Sequence, residues 1–233
     1  MVAEGLAPSR ARAQALILAG VVTVAGQVVM KPSSKGVGAI EVTEDPCPWV
    51  SRAGLKLDHA LSIFDLSPEG VALDLGASTG GFTQVLLARG AAHVHALDVG
   101  HGQLASELAC DPRVTVHEGV NARAIPEGLV PQVDWITADL SFISLEKVLP
   151  SALGLARSGA HLVALIKPQF EAGRSAVGKG GIVSDPKVHA EVRARIADML
   201  TGLGWTVIGQ TASPVLGSDG NTEFLVAAYL PAT

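Results

Sequence analysis

From Val71 onward, short and nearly continuous apolar runs alternate with longer amphipathic stretches. The runs cover 71–76, 93–99, 114–118, 133–140, 161–167, 205–212 and 222–230. Seven such runs separated by helical spacing predict a doubly wound, mostly parallel sheet with helices on both faces. The clearest helix spans 186–203: Asp185 stands at its cap, Pro186 in its first turn, and Val188, Val192, Ile196, Leu200 and Leu203 form one apolar stripe. Between the last two runs lies only SPVLGSDGN, too short for a crossover helix, so they are expected to pair antiparallel. The final strand then begins at the edge where the parallel strands end, which places Glu223 beside Asp139 and Lys167.

The first seventy residues follow another pattern. Ser9 can cap a helix over RARAQALILA, with Arg10 and Arg12 in its first exposed turn. VVTV-AGQ-VV then alternates as a hairpin, Lys31 and Lys35 follow it, and KPSSKGVGA reads as irregular. The uncharged stretch 13–30 is long enough to suggest a membrane span. Its glycines, glutamines and mid-course change of period favour helix end plus hairpin instead. EDPCPW reads as a linker, and SRAGLKLDHALSIFDL as a helix packed on something larger. The expected division is a small module over 1–44, a linker and leading helix over 45–65, and an α/β domain over 66–233.

Chemistry gathers at the strand ends. LDLGASTGGFT is a glycine-rich strand-to-helix turn carrying Gly76, Ala77, Ser78, Gly80 and Gly81. Ser78 stands where a dinucleotide fingerprint wants its second glycine, which favours S-adenosylmethionine over a dinucleotide. Asp98, followed by Val99, closes the next strand and suits the two hydroxyls of a ribose. Asn121, after the third strand, suits an adenine edge or an ordinary turn. Asp139 ends the apolar run DWITADL, and Lys167 arrives abruptly in LVALIKPQFE. A lysine–carboxylate group beside a nucleotide turn fits activation of a hydroxyl for group transfer. A lysine is ordinarily charged at neutral pH, so proton removal by Lys167 calls on burial and a second cation such as Lys56. Positioning is expected to matter at least as much. The loop GRSAVGKGGIVS, with Arg174 and Lys179, suits a nucleic-acid backbone.

Composition sharpens this picture only slightly. The 233 residues carry a formal charge of −5, so the bulk charge does not signal nucleic-acid binding. Residues 1–60 hold six Lys/Arg against five Asp/Glu, a balance of +1. Two cysteines and seven histidines show no metal-ligand spacing, so no metal is expected. No secretory signal is legible in MVAEGLAPSR, and the cytoplasm is the expected compartment.

SRAGLKL, LDLGASTGGFT, ALDVGHGQL, ADLSFISL, LIKPQFEAGR, VGKGGIV and GNTEF, in this order along nearly the whole chain, resemble the TlyA (hemolysin A) family of ribosomal RNA 2′-O-methyltransferases. That resemblance implies a catalytic domain like the FtsJ-type RNA ribose methyltransferases and an N-terminal RNA-binding module of the alpha-L type. It implies Lys56, Asp139, Lys167 and Glu223 as a catalytic tetrad, with Phe142 an aromatic beside it. It also implies Gly76, Ser78, Gly80, Asp98 and Asn121 as the pocket for S-adenosylmethionine, and a cytidine ribose in the rRNA of ribosomal subunits as target. Two departures stand out. The segment before GLAPSR is only MVAE, so the RNA module is expected to be shortened at its start, and the hairpin reads VAGQ rather than V-N-G.

Three other classes have distinct signatures. A membrane-active hemolysin would lyse liposomes, and a non-catalytic ribosome-binding protein would bind rRNA without methyl transfer. A dehydrogenase would bind NAD tightly.

Overall fold

A computed structural model of the chain describes residues 1–7, 10–18, 20–34, 37–43, 47–173 and 176–232. It divides into two compact units, Met1–Ser51 and Arg52–Thr233. The expectations on Ser9, Lys35 and Arg174 fall outside the described residues.

The first unit holds helix α1 (Arg10–Leu18) and strands β1 (Val22–Val24), β2 (Gln27–Val28) and β3 (Ile40–Val42). The uncharged stretch is thus a helix followed by a hairpin, with Gly20 and Gly26 in the positive-φ turns between elements. Ala7, Ala13, Leu16 and Val22 form its core. The strand β3, not expected from the sequence, pairs antiparallel with β1 through Val22–Val42, Thr23–Glu41 and Val24–Ile40. A three-residue strand after a glycine-rich segment leaves too little alternation to be read in advance.

The second unit opens with α2 (Ala53–Ile63), the helix expected beside the linker, whose Leu57, Ala60 and Leu61 are buried. Then come β4 (Val71–Leu75), α3 (Gly81–Arg89), β5 (His93–Asp98), α4 (Ser106–Ala109), β6 (Val114–Glu118) and β7 (Val133–Ala138). The chain continues through α5 (Leu149–Leu153), β8 (Ala156–Ile166), α6 (Pro168–Glu171), α7 (Pro186–Gly202), β9 (Thr206–Ala212) and β10 (Phe224–Tyr229). The sheet order is β6-β5-β4-β7-β8-β10-β9. All neighbours pair parallel except β10, which runs antiparallel to both β8 and β9. This is the expected seven-stranded architecture.

Strand alternation sends the two sets of side chains to opposite faces. Ile166, Phe224 and Val226 pack with Val192, Ile196 and Leu200 of α7 in one core. Residues of the other parity face α2 and α3. There Thr83 of α3 donates to Asp74, and Lys56 of α2 donates to Glu223. The α7 start is built as its sequence suggests: the Asp185 side chain accepts from Lys187 N at 2.9 Å. Such a cap contributes about 1 kcal/mol.

Candidate active site

The C-terminal ends of β5, β4, β7 and β8 form one rim. The register carries Leu97, Leu75 and Ala138 side by side, so the following residues, Asp98, Gly76 and Asp139, make a row. Across the antiparallel pair, Phe224 faces Ile166, and one step further Glu223 faces Lys167. Asp139, Lys167 and Glu223 therefore share the sheet face that α2 covers, and α2 contributes Lys56.

These four residues form two ion pairs. Lys56 Nζ lies 2.6 Å from Glu223 Oε2, and both side chains are buried. Lys167 Nζ lies 2.6 Å from Asp139 Oδ1 and donates to Ser141 Oγ at 2.9 Å. Asp139 Oδ1 is buried, and the ammonium reaches it as a charge, without the angle of a hydrogen bond. Removing two lysines and two carboxylates from water is costly, and buried ion pairs seldom repay that cost in stability. Their presence at a cleft points to chemistry.

The cleft beside them has a volume of about 350 Å³. Gly76, Ser78, Leu97, Asp98, Val99 and Val120 line one part, and Asp139 to Phe142 another. At Gly76 (φ +79°), an added Cβ would sit 2.6 Å from the Asp139 carbonyl oxygen, so only glycine fits. Ser78 takes a left-handed φ of +47°, and its N–H donates to Asp98 Oδ2 at 2.8 Å. Gly100 N donates to the other oxygen of Asp98 at 2.7 Å. Each Asp98 oxygen keeps a lone pair for a ligand hydroxyl, and both are held rigidly in place. Val99, Val120 and Ala122 supply apolar walls for a planar base. An acid fixed for a ribose, apolar walls, and backbone close enough for a ligand to touch fit a nucleoside such as that of S-adenosylmethionine.

Not every candidate enters this cleft. Ala77, Gly80 and Gly81 shape the turn without lining it. Gly80 (φ +96°) lies so close to Leu104 and Leu108 that a side chain would collide with them, so its glycine serves packing. Asn121 is exposed and outside the lining. Its Oδ1 accepts from Arg123 N at 3.0 Å, the turn arrangement that was its other reading. Phe142 is 88% exposed, has a strained φ of +65°, and sets its ring 5.1 Å from that of Phe170. Arg10 and Lys31 are exposed on the first unit; for Arg12 only the helical backbone is described. Lys179 is exposed in a short 3-10 helix, Lys179–Gly181. The loop around it is built rather than open. Asn221, buried, accepts from Val183 N at 2.9 Å and donates to Gly181 O at 3.0 Å.

Sequence reasoning missed three polar residues in and beneath the site. Asp74 is fully buried and accepts from Thr83 Oγ1 at 2.7 Å and Thr137 Oγ1 at 2.9 Å; burial pushes its carboxyl up to about 6. Ser141 binds Lys167, and Glu171 is buried just after it. A carboxylate inside the apolar run VALDL was the one available signal for Asp74; nothing local marked the other two. Two of the histidines pair with each other: His95 Nδ1 lies 2.9 Å from His117 Nε2. Among the described residues, no group of three His, Cys, Asp or Glu is placed to hold a metal ion.

Comparison with known proteins decides the family. Residues 49–230 match the FtsJ-like methyltransferase model, and residues 1–35 match the S4 domain. A relative from Mycobacterium tuberculosis, named 16S/23S rRNA (cytidine-2′-O)-methyltransferase TlyA, is 48% identical over 231 residues, 97% of this chain and 86% of its own. The chain belongs to the TlyA family of FtsJ-like methyltransferases. A solved structure from Streptococcus thermophilus, described as a hemolysin, superposes with a TM-score of 0.80 at 36% identity, covering 99% of this chain and 86% of that one. The N-methyltransferase NodS of Bradyrhizobium japonicum, solved with S-adenosyl-L-homocysteine, shares the fold: its TM-score is 0.55 at 13% identity over 80% of this chain and 90% of its own. As to the hemolysin name, no helix among the described residues of this TlyA-family chain is long and apolar enough to cross a membrane.

Proposed function

We propose that the protein methylates a ribose 2′-hydroxyl of ribosomal RNA, a cytidine by analogy with the name of its M. tuberculosis relative, using S-adenosylmethionine. The observation that carries the reading is the pair of buried lysine–carboxylate contacts, Lys167–Asp139 and Lys56–Glu223, at the rim of a nucleoside-sized cleft. When bound, S-adenosylmethionine supplies an electrophilic methyl group. The chain's own residues do the rest. Asp98 holds the ribose of the cofactor, and Gly76 lets its backbone approach closely. The target hydroxyl must lose a proton as its oxygen takes the methyl and becomes an ether; Lys167 receives it as a neutral amine, its own proton having passed to the Asp139 carboxylate beside it. Lys56, fixed by Glu223, keeps a second positive charge beside that oxygen as negative charge develops on it.

In this reading residues 1–44 form the RNA-binding module, 45–65 the connection with its helix, and 66–233 the methyltransferase domain. Arg10, Arg12, Lys31, Arg174 and Lys179 contact the RNA backbone, and Phe142 lies against the target nucleotide. The substrate is rRNA in ribosomal subunits, in the cytoplasm.

The test is methyl transfer from radiolabelled S-adenosylmethionine to unmethylated bacterial subunits, with Lys167→Ala alongside. Label in rRNA with the wild type alone establishes reaction and site together. Label absent from every subunit, with cofactor binding intact, refutes the assignment of substrate.

A further inference from the structure

The mechanism above leaves Glu171 unused, although it is a buried carboxylate four residues from Lys167. It closes α6, the short helix that starts immediately after Lys167. Its side chain is 8% exposed and crosses to a different segment: Oε2 accepts from Ser144 Oγ at 2.6 Å, and Oε1 accepts from Leu145 N at 2.7 Å. That segment, 140–145, leaves β7 at Asp139 and carries Ser141 and Phe142 past the cleft. A second clamp joins Glu171 to the residue that follows this segment. Arg195 of α7 donates to the Glu171 carbonyl at 2.7 Å and to Glu146 Oε2 at 3.2 Å.

The segment so held is strained. Phe142 has a left-handed φ of +65° and an exposed ring, a strained arrangement that persists only where neighbours enforce it. Its one ring neighbour among the described residues is Phe170, which belongs to the helix that Glu171 closes. Next to it, Ser141 Oγ accepts from Lys167 Nζ, so the position of the segment sets one of the two contacts that aim the ammonium.

We infer that Glu171 is a positioning residue: its carboxylate ties segment 140–145 to the chain following Lys167, and thereby fixes Ser141 against Lys167 in the geometry that proton removal needs. Glu171 does not reach the cleft itself; it acts through Ser141. Burial pushes its carboxyl upward, while the bonds from Leu145 N and Ser144 hold the charged form. The inference rests on the reading of Lys167 as the group that faces the hydroxyl.

The experiment is a cycle of Glu171→Gln, Ser141→Ala and the double variant in the full-length protein. It measures kcat and KM for rRNA methylation together with S-adenosylmethionine affinity. Glutamine keeps the shape but offers an amide where the carboxylate accepted two donors. A misplaced reacting group can lower turnover about 10- to 100-fold, and kcat is expected to fall in that range, with cofactor affinity within about twofold. In the Ser141→Ala background Glu171→Gln is expected to add little, because both act through one contact. Wild-type kcat in Glu171→Gln, or the same fold loss in both backgrounds, overturns the inference. Ser144→Ala removes one clamp bond from a half-buried position and carries the same cycle if Glu171→Gln does not fold. Lys167→Ala is measured in parallel. Full turnover there refutes the site reading and this inference with it, whereas an inactive Lys167→Ala beside a fully active Glu171→Gln refutes the inference alone.

Discussion

Lys56 and Glu223 stand 167 positions apart in the chain, and their charged atoms meet at 2.6 Å inside the fold. One comes from the helix that opens the second unit, the other from the position just before its last strand. Truncating one partner leaves the other buried and uncompensated, which typically costs 3–5 kcal/mol. Lys56→Ala is therefore expected to lower the urea midpoint of the second unit strongly. Lys56→Met with Glu223→Leu is expected to recover most of that stability while remaining inactive. A double variant that regains activity would remove the pair from the mechanism.

Lys167→Ala is expected to reduce methyl transfer at least about 100-fold, with S-adenosylmethionine affinity within a few-fold. Single-turnover assays and equilibrium dialysis separate the two quantities. Unchanged turnover would transfer the role of Lys167 elsewhere.

Asp98→Ala acts on the other half of the site. It removes the acceptor for Ser78 N and Gly100 N as well as the proposed ribose contacts. Hydrogen bonds to a charged group contribute about 1.5–3 kcal/mol, so cofactor affinity is expected to fall about 10- to 100-fold. Calorimetric titration checks this, and an unaltered affinity would place the adenosine elsewhere.

Gly76→Ala tests the close approach of two strand ends. The new Cβ would meet the Asp139 carbonyl oxygen at 2.6 Å from a backbone at φ +79°. A stability loss of roughly 1–3 kcal/mol is expected, together with lost activity as Asp139 shifts. Wild-type thermal unfolding and turnover would show that the rim tolerates a side chain.

Asp74 makes stability depend on pH. Burial raises its carboxyl from 3.8 to about 6, so the folded state holds the proton more tightly than the unfolded chain. Its contribution is fully present below pH 3.8 and is lost as pH rises through about 6; the loss comes to about 3 kcal/mol. His95 acts in the opposite sense. Burial first, then its His117 and His93 neighbours, lower it to about 4, so its contribution is present above 6.5 and lost as pH falls toward 4. Asp74→Asn is expected to remove the descent that Asp74 contributes, so in urea titrations stability should fall less, or rise more, between about pH 4 and 6 than in the wild type. A profile identical to the wild type would remove Asp74 as the source.

Strand ends were the legible part of the site. Asp139 and Lys167 each close an apolar run, and the short link before β10 put Glu223 at the same edge. The partners were not legible. Pairing of Lys56 with Glu223, and of Lys167 with Asp139 and Ser141, depends on where α2 packs and how 140–145 turns, and neither leaves a periodic trace. Asn121 shows where the sequence was ambiguous. A polar residue after a strand suits a ligand or a turn equally well, and here its side chain serves the turn. Gly80 was read with the cofactor loop from its glycine motif; that leucines from α4 and the loop before it also press on this position was not legible in the sequence.

The two ion pairs have a consequence for how rRNA is captured. Two cations matched by two anions sum to zero, so from more than a few ångströms away the tetrad itself contributes little field to draw in a polyanion. Counterion release on binding must then come from cations outside the tetrad. The salt dependence of rRNA affinity and the rate of the chemical step are accordingly set by different residues, and each can change without the other.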